Sequence, residues 1–351
     1  MKTKQQQWRG GELKAMATAR KSHCDIVLDT VASGHAAAHS SVAASWCRSA
    51  LHHGLDPGNE RRNDRLEAEA LARLREANGE LLAAAKPTLD RLYGNVGAVG
   101  ACVIISDLDG VVLEARSNPS EEALFTEVGL VAGAMWSEQA EGTNGIGTCL
   151  VEGRPITIQQ HEHFASRNVG VSCMDAPIFD PTGKLVAALD VSSARNDQGE
   201  AISGMIGALV QDAARTIERD FFCRRYATAR IVYVGADHRL QGASQGMGQG
   251  MTQGAALLAV DRDDLVIGAT RVARRQLGLA VRGALQPMPL AHVLGEEGAQ
   301  AGFDDAERAV LRQALARSGG NVAAAARLLG IGRATFYRRM ERVGMTGAGL
   351  Q

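Results

Sequence analysis

Aromatic side chains, paired cysteines and long apolar runs are all scarce in this chain of 351 residues, and each shortage removes a class of protein. Aromatic residues make up only 4% of the sequence, and in a domain this poor in them they usually serve the core. Cysteines occur at 24, 47, 102, 149, 173 and 223, with no C-x-x-C among them. That scatter argues against a disulfide framework or a zinc ribbon. Mean hydropathy is -0.10 and no apolar run approaches the about 18 residues of a membrane span. The first ten residues carry charge with no apolar stretch behind it, so they do not read as a signal peptide. A cytoplasmic location is the expectation. The phosphate cradle G-x-x-x-x-G-K-[ST] is also missing, because Gly183-Lys184 is followed by Leu185 and has Ile178 where the first glycine would stand. The chain nevertheless has substance for two or three domains, with 45% hydrophobic residues and a net charge of -1.

The charge is unevenly spread. Between Asn321 and Met345 there are five Arg and one Glu, a local charge of +4. Asn321 is suited to cap a helix opening at Val322, and Gly330 to end it in the left-handed conformation. Gly332 then keeps a corner before a second helix starts at Arg333. In that helix Phe336, Met340 and Val343 recur at spacings of four and three and predict one buried stripe. Arg333, Thr335, Tyr337, Arg338, Arg339 and Arg342 lie off it. A helix over about 304–317 supplies Ala306, Val310, Leu311, Ala314 and Leu315 as the other wall. This is a helix-turn-helix with a basic outer face, the footprint expected of a phosphate-binding surface.

Upstream, residues 1–60 form a weakly patterned lead. Leu66, Ala70, Leu74, Ala77, Leu81, Ala85, Leu89 and Leu92 form a near-heptad helical stripe, which Pro87 should kink. Alternation at Val99, Ala101, Val103 and Ile105, with a turn at 107–110, predicts a hairpin, and 175–192 predicts a second. Residues 141–158 read as a glycine-rich approach with two more short strands. Ala201–Arg219 reads as a helix with Ile202, Ile206, Leu209, Val210, Ala213 and Ile217 facing inward. The sum is an α+β sensor-like domain over 61–228. Residues 229–254, rich in Gly and Gln, read as a flexible linker, and 255–297 as a degenerate PAS-like segment of strand, turn, strand and short helix. The helix-turn-helix domain spans 303–346.

Two resemblances sharpen this reading. Ala306–Met345 resembles the Fis-type helix-turn-helix of bacterial enhancer-binding activators. There, the residues matching Asn321, Arg333, Thr335, Arg338, Arg339 and Arg342 face DNA, and Tyr337 is expected to join them here, although it replaces a frequent basic residue and Gly332 stands where Asn or Ser is common. Gly142-Thr143-Asn144, Glu162-His163, Cys173 and Ala176-Pro177-Ile178 with Asp180 and Gly183 resemble the GAF domain of the acetoin-catabolism activator family, and Ser45–Pro57 resembles that family's lead. The resemblance implies a ligand-responsive, sequence-specific DNA-binding regulator of a catabolic operon. Such activators normally carry a central sigma-54 ATPase, and neither its phosphate cradle nor its Gly-Ala-Phe-Thr-Gly-Ala loop occurs here. Action without ATP hydrolysis is therefore expected, as a homodimer on double-stranded DNA, with RNA polymerase or a full-length related activator as a further partner and no membrane.

Trp136, Glu141, Thr143, Asn144, Phe164 and Met174 are the candidates for lining a pocket for an unidentified small-molecule effector. His161, Glu162, His163 and Cys173 are metal-binding residue types, but without ligand spacing, and no metal or other cofactor is expected. No catalytic residue is expected either. Two alternatives stay open: a thiol enzyme on a GAF scaffold, such as a free methionine sulfoxide reductase using Cys149 or Cys173, and an architectural DNA binder with a vestigial sensor.

Overall fold

The computed structural model describes residues 21–33, 35–61, 65–195, 199–235, 254–294 and 303–345. They divide into two compact units, Met1–Asp263 with Ile267–Gln286, and Asp264–Val266 with Pro287–Gln351.

The first unit opens with α1 (His23–Ser33), α2 (Ser41–Cys47), α3 (Ala68–Ala77) and α4 (Gly79–Val96). Then come β1 (Ala101–Asp107), β2 (Val112–Arg116), α5 (Glu122–Val128), α6 (Glu138–Glu141), α7 (Gly145–Glu152) and β3 (Ile156–Ile158). The hairpin of β4 (Ser172–Phe179) and β5 (Leu185–Ser193) leads into the long α8 (Glu200–Arg225). The sheet runs β2-β1-β5-β4-β3 with antiparallel neighbours throughout. Both predicted hairpins are present, and the fold is the expected α+β arrangement.

Strand alternation sorts side chains onto two cores. On one face Val103, Ile105, Met174, Ile178, Leu189 and Val191 pack against Leu81, Leu89, Ile206, Val210 and Ile217 of α4 and α8. On the other, Cys102, Ile104, Cys173 and Ala188 meet Phe125, Trp136, Ile146 and Cys149. Of the six α8 residues expected to face inward, Ile202 and Leu209 are 45% and 43% exposed. They fall off the stripe that Ile206, Val210, Ala213 and Ile217 define.

Other expectations also change. The helical stripe breaks at Asn78-Gly79 rather than at Pro87, which sits within α4. Pro87 and Ala83 are both exposed, so the carbonyl that the proline leaves unbonded faces solvent. Of the 141–158 stretch, expected to hold a glycine-rich approach and two short strands, only Ile156–Ile158 is strand; residues 145–152 form α7, because Asn144 caps it by accepting from Gly147 N. The lead packs onto the sensor: Val27 and Trp46 share a core with Phe164, and Trp46 Nε1 donates to Glu162 O (2.8 Å).

The stretch expected to be a linker begins with a strand, β6 (Arg230–Tyr233), which pairs antiparallel with β7 (Leu257–Val260). Gln241–Gln253 lie outside the described residues. The PAS-like segment continues as β8 (Leu265–Ala269) and α9 (Arg271–Gln276). In the second unit Leu265 and Val266 of β8 pair with β9 (Met288–Pro289), followed by α10 (Leu290–Val293). The unit ends in α11 (Phe303–Arg317), α12 (Val322–Leu328) and α13 (Arg333–Arg342).

Candidate nucleic-acid interface and sensor interior

The three C-terminal helices close on a core of Leu311, Ala314, Val322, Ala325, Phe336, Met340 and Val343. Val310, expected in that wall, is 48% exposed, and the side chain of Ala306 lies outside the described set. Asn321 Oδ1 accepts from Ala324 N (3.0 Å), so its carbonyl is spent on capping α12. Gly330 ends that helix at φ +66°, as a left-handed stop. Gly332 is different: its φ is -68°, and an added Cβ would meet only Thr335 Oγ1 at 3.9 Å. The corner therefore does not require glycine there.

Phe336 and Met340 anchor α13 and leave the arginines outside. Arg333 lies 5.7 Å from the Tyr337 ring centroid, and Arg338 Nη2 donates to Thr335 Oγ1 (3.4 Å). Arg333, Arg338 and Tyr337 are exposed. Arg339 and Arg342, by contrast, both pair with Glu307 of α11, Arg339 at 3.2 Å. The four arginines of α13 thus fall into two kinds, Arg333 and Arg338 turned outward and two joined to a carboxylate. Sequence reasoning missed Glu307, whose only signal was its place on the preceding helix.

In the sensor, the six pocket candidates are all buried; Phe164 N donates to Thr143 O (3.0 Å), while the three large apolar candidates lie in separate cores. Trp136 belongs to one sheet-face core, Met174 to the opposite one, and Phe164 to the core shared with the lead. Glu141 pairs with Arg167 (2.6 Å) and accepts from Asn168 (3.1 Å). Thr143 Oγ1 lies 2.7 Å from Ser45 Oγ, and Asn144 serves as the helix cap. Gly142 is required where it stands, since φ is +68° and a Cβ would fall 2.5 Å from Phe164. At Gly145 a Cβ would lie 2.0 Å from Asp175 Oδ2, so the glycine lets α7 seat directly on β4.

A polar row missed by sequence reasoning lies beneath α7. Asp175 and Asp190 are paired across β4 and β5, both buried. Ser192 Oγ donates to Asp190 Oδ2 (2.8 Å) and stands 3.1 Å from Cys173 Sγ, which is 3.5 Å from His163 Nε2. Burial pushes both aspartates upward; the Asp190 carboxylate raises Asp175 further, while hydrogen bonds from Ser192 and Asp175 pull Asp190 back, and burial lowers His163 to about 4. A second missed feature is Glu138, gripped by Arg48 through Nε (2.7 Å) and Nη2 (3.0 Å), with Ser45 Oγ donating at 2.6 Å. His161 is exposed, and among the described residues no three His, Cys, Asp or Glu side chains are grouped to hold a metal ion. Burial raises the Cys149 and Cys173 thiols well above their ordinary value, opposite to what a nucleophilic thiolate needs.

These features define a class: an α+β sensor-like domain carried on one chain with a Fis-type helix-turn-helix. Residues 16–218, more than half of the chain, match the family described as MimR, N-terminal domain, and the chain belongs to that family. Residues 302–342 match the bacterial regulatory protein, Fis family. The chain is 29% identical over 260 residues to the acetoin catabolism regulatory protein of Cupriavidus necator, covering 74% of this chain and 37% of that protein. It is 31% identical over 187 residues to the propane 2-monooxygenase operon transcriptional activator MimR of Mycolicibacterium smegmatis, covering 52% and 30%. The acetoin dehydrogenase operon transcriptional activator AcoR of Bacillus subtilis is 29% identical over 178 residues, covering 50% and 29%. The chain thus spans about a third of the length of these curated relatives. Among solved structures, a chain of the E. coli DhaR(N)-DhaL complex has a TM-score of 0.47 at 16% identity, covering 74% of this chain and 86% of that one.

Proposed function

We propose that this protein is a sequence-specific, ligand-responsive DNA-binding regulator of a catabolic operon that acts without ATP hydrolysis. The observation that carries the reading is α13, buried through Phe336 and Met340 with Arg333 and Arg338 presented outward in a segment matching the Fis family. The relatives' names concern operon control in acetoin and propane metabolism, which supports a catabolic target. The absence of a phosphate-cradle motif supports output by occupying DNA, or through RNA polymerase or a full-length relative. No described helix is long and apolar enough to cross a membrane, consistent with a cytoplasmic site of action. The raised thiols give the enzyme alternative no support.

The test is binding to DNA flanking the protein's own gene, followed by fluorescence anisotropy across salt concentrations. Arg338→Ala should lower affinity for all sequences and reduce the salt slope by about 1. Arg333→Ala, nearer the start of α13, should cost about 1–3 kcal/mol and relax sequence preference. Salt-insensitive binding, or none, would overturn the reading.

One helix-turn-helix reads a half-site, so the active species is a homodimer. Ile202, Met205 and Leu209 form an exposed apolar stripe on α8, Met205 being 70% exposed, and this stripe is assigned to the dimer contact. Sedimentation should show a dimer that Met205→Glu converts to monomer. A monomeric wild type at micromolar concentration would remove the assignment.

A further inference from the structure

A shallow, open cleft lies beside the β4–β5 turn, between α8 and the start of α9, entirely within the first unit. Pro181, Phe179 and Phe222 give it apolar walls, while Arg215, Glu218 and Arg271 supply its charge. The Arg271 guanidinium stacks 3.7 Å from the Phe179 ring centroid. Stacking fixes the plane of the cation and leaves its N–H edges directed sideways. Arg215 is backed by Gly254, where a Cβ would lie 3.4 Å from its Cγ, and its hydrogen bond is to Gln211 (3.4 Å). Among the described residues neither Arg215 nor Arg271 has a carboxylate oxygen within 4.0 Å.

The remaining charged groups do not neutralise the pair. Arg219 is paired with Asp220 (2.7 Å), and Asp180 accepts from Thr182 N and Lys184 N within its own turn. Arg275 and Arg282 add positive potential. Glu218 accepts from Phe179 N (3.1 Å). Burial raises this acid to about 7, against the opposing pull of Arg271, Arg215 and Arg275. Near neutrality a large fraction of Glu218 is uncharged, and the cleft then presents two unpaired guanidinium groups above an apolar floor.

We propose that this cleft binds a small carboxylate, its anionic head held by Arg215 and Arg271 and its short apolar tail resting against Pro181 and Phe222. An arginine fork matches the two oxygens of a carboxylate, and the apolar wall favours an acid with a hydrocarbon tail over a bare inorganic anion. The site joins α8 to the residues that open β7 and α9, so occupancy would tie the sensor helix to the PAS-like segment. This assignment is independent of DNA binding.

Calorimetric titration of the full chain with sodium butyrate, at pH 6 and pH 8, tests it. Saturable binding is expected at pH 6, weakening about tenfold at pH 8 as Glu218 ionises and repels the ligand. Arg215→Gln and Arg271→Gln should each lose about tenfold or more with unchanged far-UV circular dichroism. Glu218→Gln should hold the pH 6 affinity at pH 8, a gain that a damaged fold cannot produce. Absence of saturable heat to about 20 mM butyrate, wild-type affinity in Arg271→Gln, or equal competition by inorganic phosphate would each overturn the proposal. A pH 8 loss in Glu218→Gln equal to that of wild type would do the same.

Discussion

Phe336→Ala should abolish DNA binding by unfolding the helix-turn-helix, while leaving the sensor intact. Phe336 is fully buried and is the largest side chain in the core that α11, α12 and α13 share. Truncating such a residue costs about 3–5 kcal/mol in lost burial and cavity formation. A module of about 40 residues has a total stability of only about 2–6 kcal/mol at the usual per-residue value. The loss therefore matches the whole margin, and arginines on α13 cannot be presented by a helix that no longer forms. Hydrogen exchange separates this outcome from a local defect. Amides of 303–345 should lose protection in Phe336→Ala, whereas those of α4 and α8 keep theirs. Phe336→Leu, which retains most of the apolar volume, should restore protection and part of the affinity. Retained DNA binding by the alanine variant would show that Phe336 does not hold the module together.

The ease with which this module was read, against the difficulty of the sensor, follows from sequence distance. Asn321, Gly330, Phe336, Met340 and Val343 act on neighbours within one turn or one corner, and the structure places each as expected. Gly332 reads as keeping the Gly-Ile-Gly corner tight, yet its backbone is one that any residue can adopt. The sensor's hairpins were legible because alternation is also local. Its interior was not. Arg48 meets Glu138 across 90 residues, and Asp190 faces Asp175 only because β4 and β5 pair in that register. The helix at 145–152, inside a stretch expected to hold a glycine-rich approach and two short strands, was hidden for a different reason: Thr148, Val151 and two glycines favour strand or turn, while the Asn144 cap and the close seat of Gly145 on Asp175 fix a helix. Trp136, Phe164 and Met174 share a residue class but lie in three cores, so side-chain type alone could not show which of them meet.

The buried aspartate pair leads to a large effect on stability with a definite sign. Both carboxyls are held above the ordinary value of 3.8 by burial, and Asp175 additionally by the charge of Asp190. The folded state therefore retains protons that the unfolded chain has released, and stability must fall as pH rises from about 4 through neutrality. Glu218, raised to about 7, adds a loss of the same sign. His163 acts oppositely: its folded value of about 4 lies below the ordinary 6.5, so its contribution is lost as pH falls through that interval. Asp190→Asn removes one member of the pair, keeps a group that Ser192 can hydrogen-bond, and leaves Asp175 without a charged neighbour in the sheet. At about 1.4 kcal/mol per pKa unit, the variant should be more stable than wild type by about 2–4 kcal/mol at pH 8. At pH 5, where the wild-type pair is largely protonated, the gain should shrink to below about 1 kcal/mol. Trp46 and Trp136 are buried in the sensor and the C-terminal helices contain no tryptophan, so fluorescence melts report on this unit. A wild-type midpoint that does not fall between pH 5 and pH 8, together with a variant less stable at both, would mean that the two carboxylates have a compensating partner in the folded sensor.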